Sequence, residues 1–445
     1  MESNSKNDVD DTVSNSENAF ARQFGQSLAT KVLMIFLRLI RNAILARALG
    51  PADRGLFSLI TSLPELIMSS GNAGISNASA YHTAKDEKNF RVTLGNTNTL
   101  LIVMSIGLII ASFFLVSQDW LVNEHSDSIQ AFSYFIAFAI PLMLLKVVNV
   151  NLLNVLHRIT QVNSISLLES LLPLISFLIL WLIFDFSPLM AATLAWFSSL
   201  FFLALLSVTL LKQGFPLGFS MSTQKDLLSY GARGHFDTLF QKLLLRIDFI
   251  FVSSFLGNEA LGYYAMATAA AELLLTLPNS LTIPLFSFFM KRSNNDTDSV
   301  TPIVLRVLMF SMVILAIVFA IFGRILILIL FGEAYLPAYE PLTLLLPGIV
   351  FLSYCSLVRL DFLGRNRPGT VSIISGIAVV LNIGLNILLV SDYGINGVAM
   401  ASTVSYFVAA IGLHIIHRKM TGLTMRETLI LRRSDIEMLT KMVKR

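Results

Sequence analysis

The charged residues with chemistry to offer lie where charge is costly. Lys31, Arg38 and Arg41 fall within the apolar run 24–49. At about 100° per residue they lie within roughly 80° of one another, forming one cationic stripe along a helix. A second apolar run, 228–256, carries Asp237, Gln241 and Asp248 on one face and His235, Lys242 and Arg246 on the opposite one. An ionised side chain at mid-bilayer costs about 2.5–3.5 kcal/mol on insertion scales, so several on one helix must face a cavity or each other. A guanidinium suits phosphate oxygens because its planar fork donates two parallel hydrogen bonds. Lys31, Arg38, Arg41, Lys242 and Arg246 are therefore candidates for holding an anion inside the membrane. None of these residues is assigned a catalytic role.

Glu65 and Glu272 each stand ten residues beyond a turn glycine, Gly55 and Gly262. That is about 15 Å along a helix, near mid-depth. Such a carboxylate either binds a coupling proton or sodium ion, positions the cleft arginines, or forms a structural ion pair. Asp248 is a third candidate for coupling or gating. It aligns with Arg41 across an internal repeat, so one expectation is a bridge between the halves that breaks as they move. The other is that each pairs within its own half. Arg359 and Asp361 lie close to the cytoplasmic mouth, where they would either receive an anionic head group or snorkel to the interface. Lys146 and Glu169 are weaker candidates for the lumen.

The elements that position these residues follow from composition. Hydrophobic residues make up 55% of the 445, and only 13% are charged. Mean hydropathy is +0.73. A soluble domain carries roughly a quarter charged residues, so this chain is solvated by lipid. The apolar runs are about 20 residues long, which fits helices rather than the short alternating strands of a barrel. Twelve spans are expected: 24–49, 55–81, 94–116, 129–156, 163–184, 188–211, 228–256, 260–289, 302–331, 337–363, 370–391 and 394–417. Alternate connections collect Lys85, Lys88, Arg91, Arg158, Lys212, Lys225, Arg233, Lys291, Arg292, Arg365 and Arg367. The intervening ones hold acids, with Arg47 and Arg54 as the exceptions. By the positive-inside rule the basic set and both termini are cytoplasmic. The net charge of +4 thus reports topology, and no nucleic acid is expected as a partner.

The chain also repeats. Leu49-Gly50 through Gly55-Leu56-Phe57 and Leu256-Gly257 through Gly262-Tyr263-Tyr264 share the pattern Leu-Gly-x4-Gly-apolar-aromatic at an offset of 207. The same offset carries Thr61 and Glu65 onto Thr268 and Glu272, Arg158 onto Arg365, and Asp185 onto Asp392. An even number of spans per half relates the halves by an axis along the membrane normal. The expected organisation is a disordered cytoplasmic tail at 1–20, an N-terminal six-helix lobe at 21–211 and a cytoplasmic linker at 212–227. A C-terminal six-helix lobe at 228–417 and a basic amphipathic tail at 418–445 follow. In that tail Met425, Leu429, Ile436, Leu439 and Val443 share a helical face, with Ser434 and Glu437 as a capping box.

No phosphate-cradling glycine loop with lysine occurs, and Cys355 is the sole cysteine. His414 and His417 have helical spacing and no evident acidic partner, so neither a metal nor another cofactor is expected.

The segment Arg41-Asn42-Ala43-Ile44-Leu45-Ala46-Arg47-Ala48-Leu49-Gly50-Pro51 through Phe57 resembles the opening of the bacterial Wzx-type polysaccharide flippases. These are members of the multidrug/oligosaccharidyl-lipid/polysaccharide (MOP) superfamily. Arg246-Ile247-Asp248 through Tyr264 resembles the corresponding turn of their second half. The resemblance implies an all-α polytopic membrane protein of twelve transmembrane helices, in two pseudo-twofold six-helix bundles with the V-shaped, MATE-like fold. It implies flipping of undecaprenyl-pyrophosphate-linked oligosaccharide to the outer leaflet of a bacterial inner membrane, with proton or sodium coupling. A polysaccharide polymerase and co-polymerase are the implied protein partners. Two rivals are a drug or metabolite exporter of the same superfamily, which should favour acids in its lumen, and a membrane glycan polymerase or ligase. The second needs a larger outer loop than 117–128.

Overall fold

The computed structural model describes residues 2–117, 129–280, 294–365, 367–429, 431–432 and 435, with side chains from Leu33 onward apart from 294–300 and Pro368. Its long helices are α1 (Glu2–Gly71), α2 (Ile75–Lys85), α3 (Phe90–Val116), α4 (Ser133–Val155), α5 (Ile159–Leu182) and α6 (Pro188–Leu211). The second half holds α7 (Met221–Glu272), α8 (Asn294–Leu330), α9 (Tyr339–Gly364), α10 (Pro368–Thr421) and the short α11 (Met425–Leu429). Among the described residues, seven helices are by themselves long and apolar enough to cross a membrane. The helical bundles are those expected, but the count of twelve crossings is not established by these seven. The charged α1 and α7 are not among them, and α10 runs through a break at Gly394.

Both copies of the repeated motif bend the chain in the same way. Gly50 adopts φ 72° and ψ 173° inside α1, and Gly257 adopts φ 83° and ψ 179° inside α7. Only glycine reaches this region without strain. The second glycine of each motif serves contact instead. A Cβ on Gly55 would overlap the Asn258 carbonyl oxygen, and one on Gly262 would overlap that of Pro51. Each motif thus packs on the backbone just after the other's kink, reciprocally across the pseudo-twofold. Tyr335 reinforces this end by donating its hydroxyl to Ala46 O at 2.9 Å.

The opposite end is closed by a second close approach. Gly74 and Gly231 leave no room for a Cβ on either side. His235 Nε2 lies 3.2 Å from Ser70 O, and Tyr81 stacks on Tyr230 with ring centroids 4.1 Å apart. The apolar cores of the two lobes lie to either side of this seam, one around Ile140, Leu144 and Leu152 and the other around Tyr264, Leu346 and Val358.

Three boundaries differ from expectation. Helix α1 extends back to Glu2 where an unstructured tail is expected, since no proline or glycine precedes Gly25 to stop it. The linker is shorter than 212–227, because α7 starts at Met221 with Ser220 Oγ accepting from Thr223 N–H. It is also fixed rather than loose. Asn98 Nδ2 donates to Pro216 O at 2.9 Å, and Ser220 N–H donates to Asn96 Oδ1 at 2.7 Å. In the C-terminal tail, helix α11 is one turn long and is capped by Thr424 and Glu427. Ser434, Ile436, Glu437, Leu439 and Val443 lie outside the described residues.

Candidate functional site

Between the two closures the lobes enclose a cavity of about 940 Å³. Its described lining carries seven cations, Arg38, Arg41, Arg54, Lys146, Lys242, Arg246 and Arg359, against three carboxylates, Glu65, Glu169 and Glu272. The excess of positive charge matters more than the total, because most of these groups have partners.

The C-terminal wall is compensated. Arg246 forks onto Glu272, with Nη1 donating to Oε1 at 2.5 Å and Nη2 to Oε2 at 3.2 Å. Its Nε also lies 3.8 Å from Glu65 Oε2. Lys242 donates to Glu65 Oε1. Glu65 therefore joins the lobes, whereas Glu272 stays with its own. Arg359 is paired with Asp237, whose Oδ2 accepts from Nε at 2.8 Å. In the N-terminal wall Lys146 donates to Glu169 at 2.7 Å.

Arg38 and Arg41 are different. Both line the cavity, and neither forms an ion pair or a side-chain hydrogen bond among the described residues. Arg38 is exposed and Arg41 half-buried. As a side chain, Lys31 lies outside the described residues.

Expectation and structure part at several places. The bridge between Arg41 and Asp248 is not formed. Asp248 is turned into its own lobe, where Tyr264 O–H donates to it at 2.7 Å, Asn386 Nδ2 at 2.8 Å, and Ser402 Oγ also donates. The cause is the two-faced helix: with Lys242 and Arg246 turned to the cavity, the opposite face packs on α10. Asp361 is likewise not at the mouth. It is buried, accepting from Arg365 Nε at 2.9 Å and facing His417 Nε2 at 3.0 Å. Two positions apart on a helix is about 200°, so Asp361 and Arg359 do not share a face. His417 thus has the acidic partner that its sequence context did not reveal.

Arg54 was read as an outer-loop exception to the charge rule. It is buried and lines the cavity, with Nη1 donating to Ser58 Oγ at 3.3 Å and Nη2 to Asn42 Oδ1 at 3.5 Å. Its Nε has no partner. Arg47, the other exception, donates to Ile329 O at 2.5 Å, capping the carbonyl end of α8.

Chemically, the cavity offers two guanidinium groups without an ion pair among the described residues, beside a third whose donors are only partly used. It suits an anionic head group. The asymmetry of the walls places the free cations on the N-terminal lobe.

Known proteins extend this reading. A model of the family described as "Polysaccharide biosynthesis protein" matches residues 44–340. The lipid II flippase MurJ in an inward closed conformation superposes with a TM-score of 0.75 at 15% identity, covering 88% of this chain and 87% of its own. An inward-facing multidrug resistance MATE family transporter of the MOP superfamily gives 0.70 at 15% identity, covering 89% and 97%. A MOP superfamily transporter from Pyrococcus furiosus gives 0.65 at 15% identity, covering 89% and 94%. An uncharacterized membrane protein of Methanocaldococcus jannaschii is 28% identical over 195 residues, 43% of this chain. The chain spans only 38% of that curated relative. At these identities the solved relatives establish the fold alone, which this chain shares with those transporters. Because the family model takes in both copies of the glycine motif and most of the cavity wall, the chain belongs to the polysaccharide biosynthesis protein family.

Proposed function

We propose that this protein flips a lipid-linked oligosaccharide, carried on a polyprenyl pyrophosphate, from the cytoplasmic to the outer leaflet. The observation that carries this reading is the pair of arginines, Arg38 and Arg41, that line one wall of the cavity with no ion pair among the described residues. Arg41 is partly withdrawn from water, and an anion bound beside it would offset that cost. A pyrophosphate supplies it, with Arg54 Nε as a further donor lacking a partner. A cationic drug would be repelled by the same wall, which disfavours the exporter reading.

Flipping follows from the two closures. With the Gly74–Gly231 end parted, the head group enters from the cytoplasm. With the Gly55–Gly262 end parted, it leaves on the other side. The lipid-linked load binds Arg38 and Arg41 and competes with Glu65 for Lys242 and Arg246, loosening the ion pair that joins the lobes at mid-depth. Asp248 is the coupling residue of this scheme. Its carboxylate is buried and accepts from the hydroxyls of Tyr264 and Ser402 and from Asn386 Nδ2. A buried carboxylate held by hydroxyls suits a proton or, with the hydroxyls turned to offer their oxygens, a sodium ion. The positive-inside pattern supports an inner-membrane protein with cytoplasmic termini.

Cells lacking the protein test this directly: they should accumulate lipid-linked oligosaccharide on the inner leaflet. The Arg38→Ala/Arg41→Ala variant should fail to correct this while inserting at normal levels. Normal outer-leaflet delivery in the deleted cells would overturn the proposal.

A further inference from the structure

The C-terminal segment forms a feature that transport does not use. Helix α10 stops at Gly422, whose φ is 75° and whose N–H donates to Arg418 O at 2.8 Å. The chain then turns and begins α11 on a capping box, with Thr424 N–H and Oγ1 each donating to Glu427 Oε2 at 2.9 Å. The following residues are clamped by Arg306 of α8. Its Nε and Nη2 donate to the two oxygens of Asp435 at 2.6 and 2.7 Å, and its Nη1 donates to Glu427 O at 2.6 Å. Arg306 is 4% exposed and Asp435 2%, so the fork is enclosed.

This clamp holds α11 over a notch of about 650 Å³ at the end of α10. Arg418, Lys419 and Arg426 line it, all exposed and none in an ion pair among the described residues. No described carboxylate lines it, and Glu427 is occupied by its capping bonds and by Arg432 at 3.7 Å. His414 also contributes to the lining and is 4% exposed. Its Nδ1 lies 2.7 Å from Tyr354 Oη, while its Nε2 is buried without a partner. On the flank, Ile415 and Met425 leave 49% and 46% of their surface uncovered.

Free cations around a partnerless ring nitrogen match a phosphate, and the apolar flank matches an acyl chain. Snorkelling alone would account for one or two loose lysines, but not for a lid fixed by a buried ion pair. We propose that this notch binds the phosphate head group of an acidic phospholipid of the surrounding bilayer, with the Arg306–Asp435 clamp as its positioning element. The site is separate from the transport cavity and does not depend on what that cavity carries.

Native mass spectrometry of the full chain in detergent, titrated with phosphatidylglycerol or phosphatidylcholine, tests it. Phosphatidylglycerol should give a discrete adduct that phosphatidylcholine does not. The Arg418→Ala/Lys419→Ala/Arg426→Ala variant should bind it more weakly by about fivefold per cation, following roughly 1 kcal/mol for each. Lys85→Ala/Lys88→Ala/Arg91→Ala removes equal charge from another connection and should leave the adduct intact. Asp435→Asn should weaken binding while all notch cations remain. Millimolar inorganic phosphate should not displace the lipid, since it lacks the acyl contact. Equal losses in the two triple variants, equal binding of both lipids, or displacement by phosphate would overturn the proposal.

Discussion

The two walls of the cavity carry the same kind of charge and use it differently. On the C-terminal wall, Lys242 and Arg246 are held by Glu65 and Glu272. On the N-terminal wall, Arg38 and Arg41 face the cavity with no ion pair among the described residues. A paired cation mainly fixes packing, because removing it strands a carboxylate. An unpaired one is available to a ligand, and its removal costs the fold little. Under the proposed function, the difference separates the residues that bind from those that hold the lobes together.

The sharpest way to break this comparison is to remove the free pair. Arg38→Ala/Arg41→Ala should lower transport by at least about a hundredfold, the lower end of the loss expected for two charge-assisted hydrogen bonds of roughly 1.5–3 kcal/mol each. Its thermal unfolding in detergent should stay near that of the parent. Next come the glycines at which the halves meet. Gly262→Leu should hinder the closure with Pro51 by about 1–3 kcal/mol, the usual cost of overpacking. Increased labelling of a cysteine placed at residue 261 would report it, with transport down about tenfold. On the paired wall, Arg246→Ala should cost about 2 kcal/mol of stability, and Glu272→Gln in the same chain should restore part of it.

The smallest effect concerns the clamp on the C-terminal segment. The Arg306 guanidinium holds the Asp435 carboxyl below its ordinary value of 3.8. A depressed carboxylate contributes fully above its unfolded pKa and loses that contribution as pH falls through the folded one. Protease cutting after α11 should therefore be unchanged from pH 7 to 5 and rise only below about pH 4. A rise already at pH 6 would show that another group holds the segment.

Much of this was legible beforehand because charge in an apolar helix has few places to go. Periodicity alone divided α7 into an acidic and a cationic face, and the cationic face does meet the cavity. The repeated glycine motif announced two equivalent turns, which the structure resolves as kinks at Gly50 and Gly257. Periodicity assigns a face, however, and not the neighbour that covers it. Asp248 was matched to Arg41 through the repeat, but its partners Asn386 and Ser402 come from a helix more than a hundred residues away. Arg54 was misplaced for a related reason. Counting charges by connection assigns a residue next to a turn to the water, whereas this one folds back into the cavity. The reciprocal fit of Gly55 and Gly262 needed coordinates, because sequence marks a small residue without saying what approaches it.

The central claim is that the unpaired arginines take the anionic head group. Isothermal titration of the purified protein with a short-chain polyprenyl pyrophosphate, beside Arg38→Ala/Arg41→Ala and Lys242→Ala, tests it most directly. Binding to the parent should weaken with salt, be almost completely lost in the arginine variant, and change less in the lysine variant. Undiminished binding in the arginine variant would contradict it.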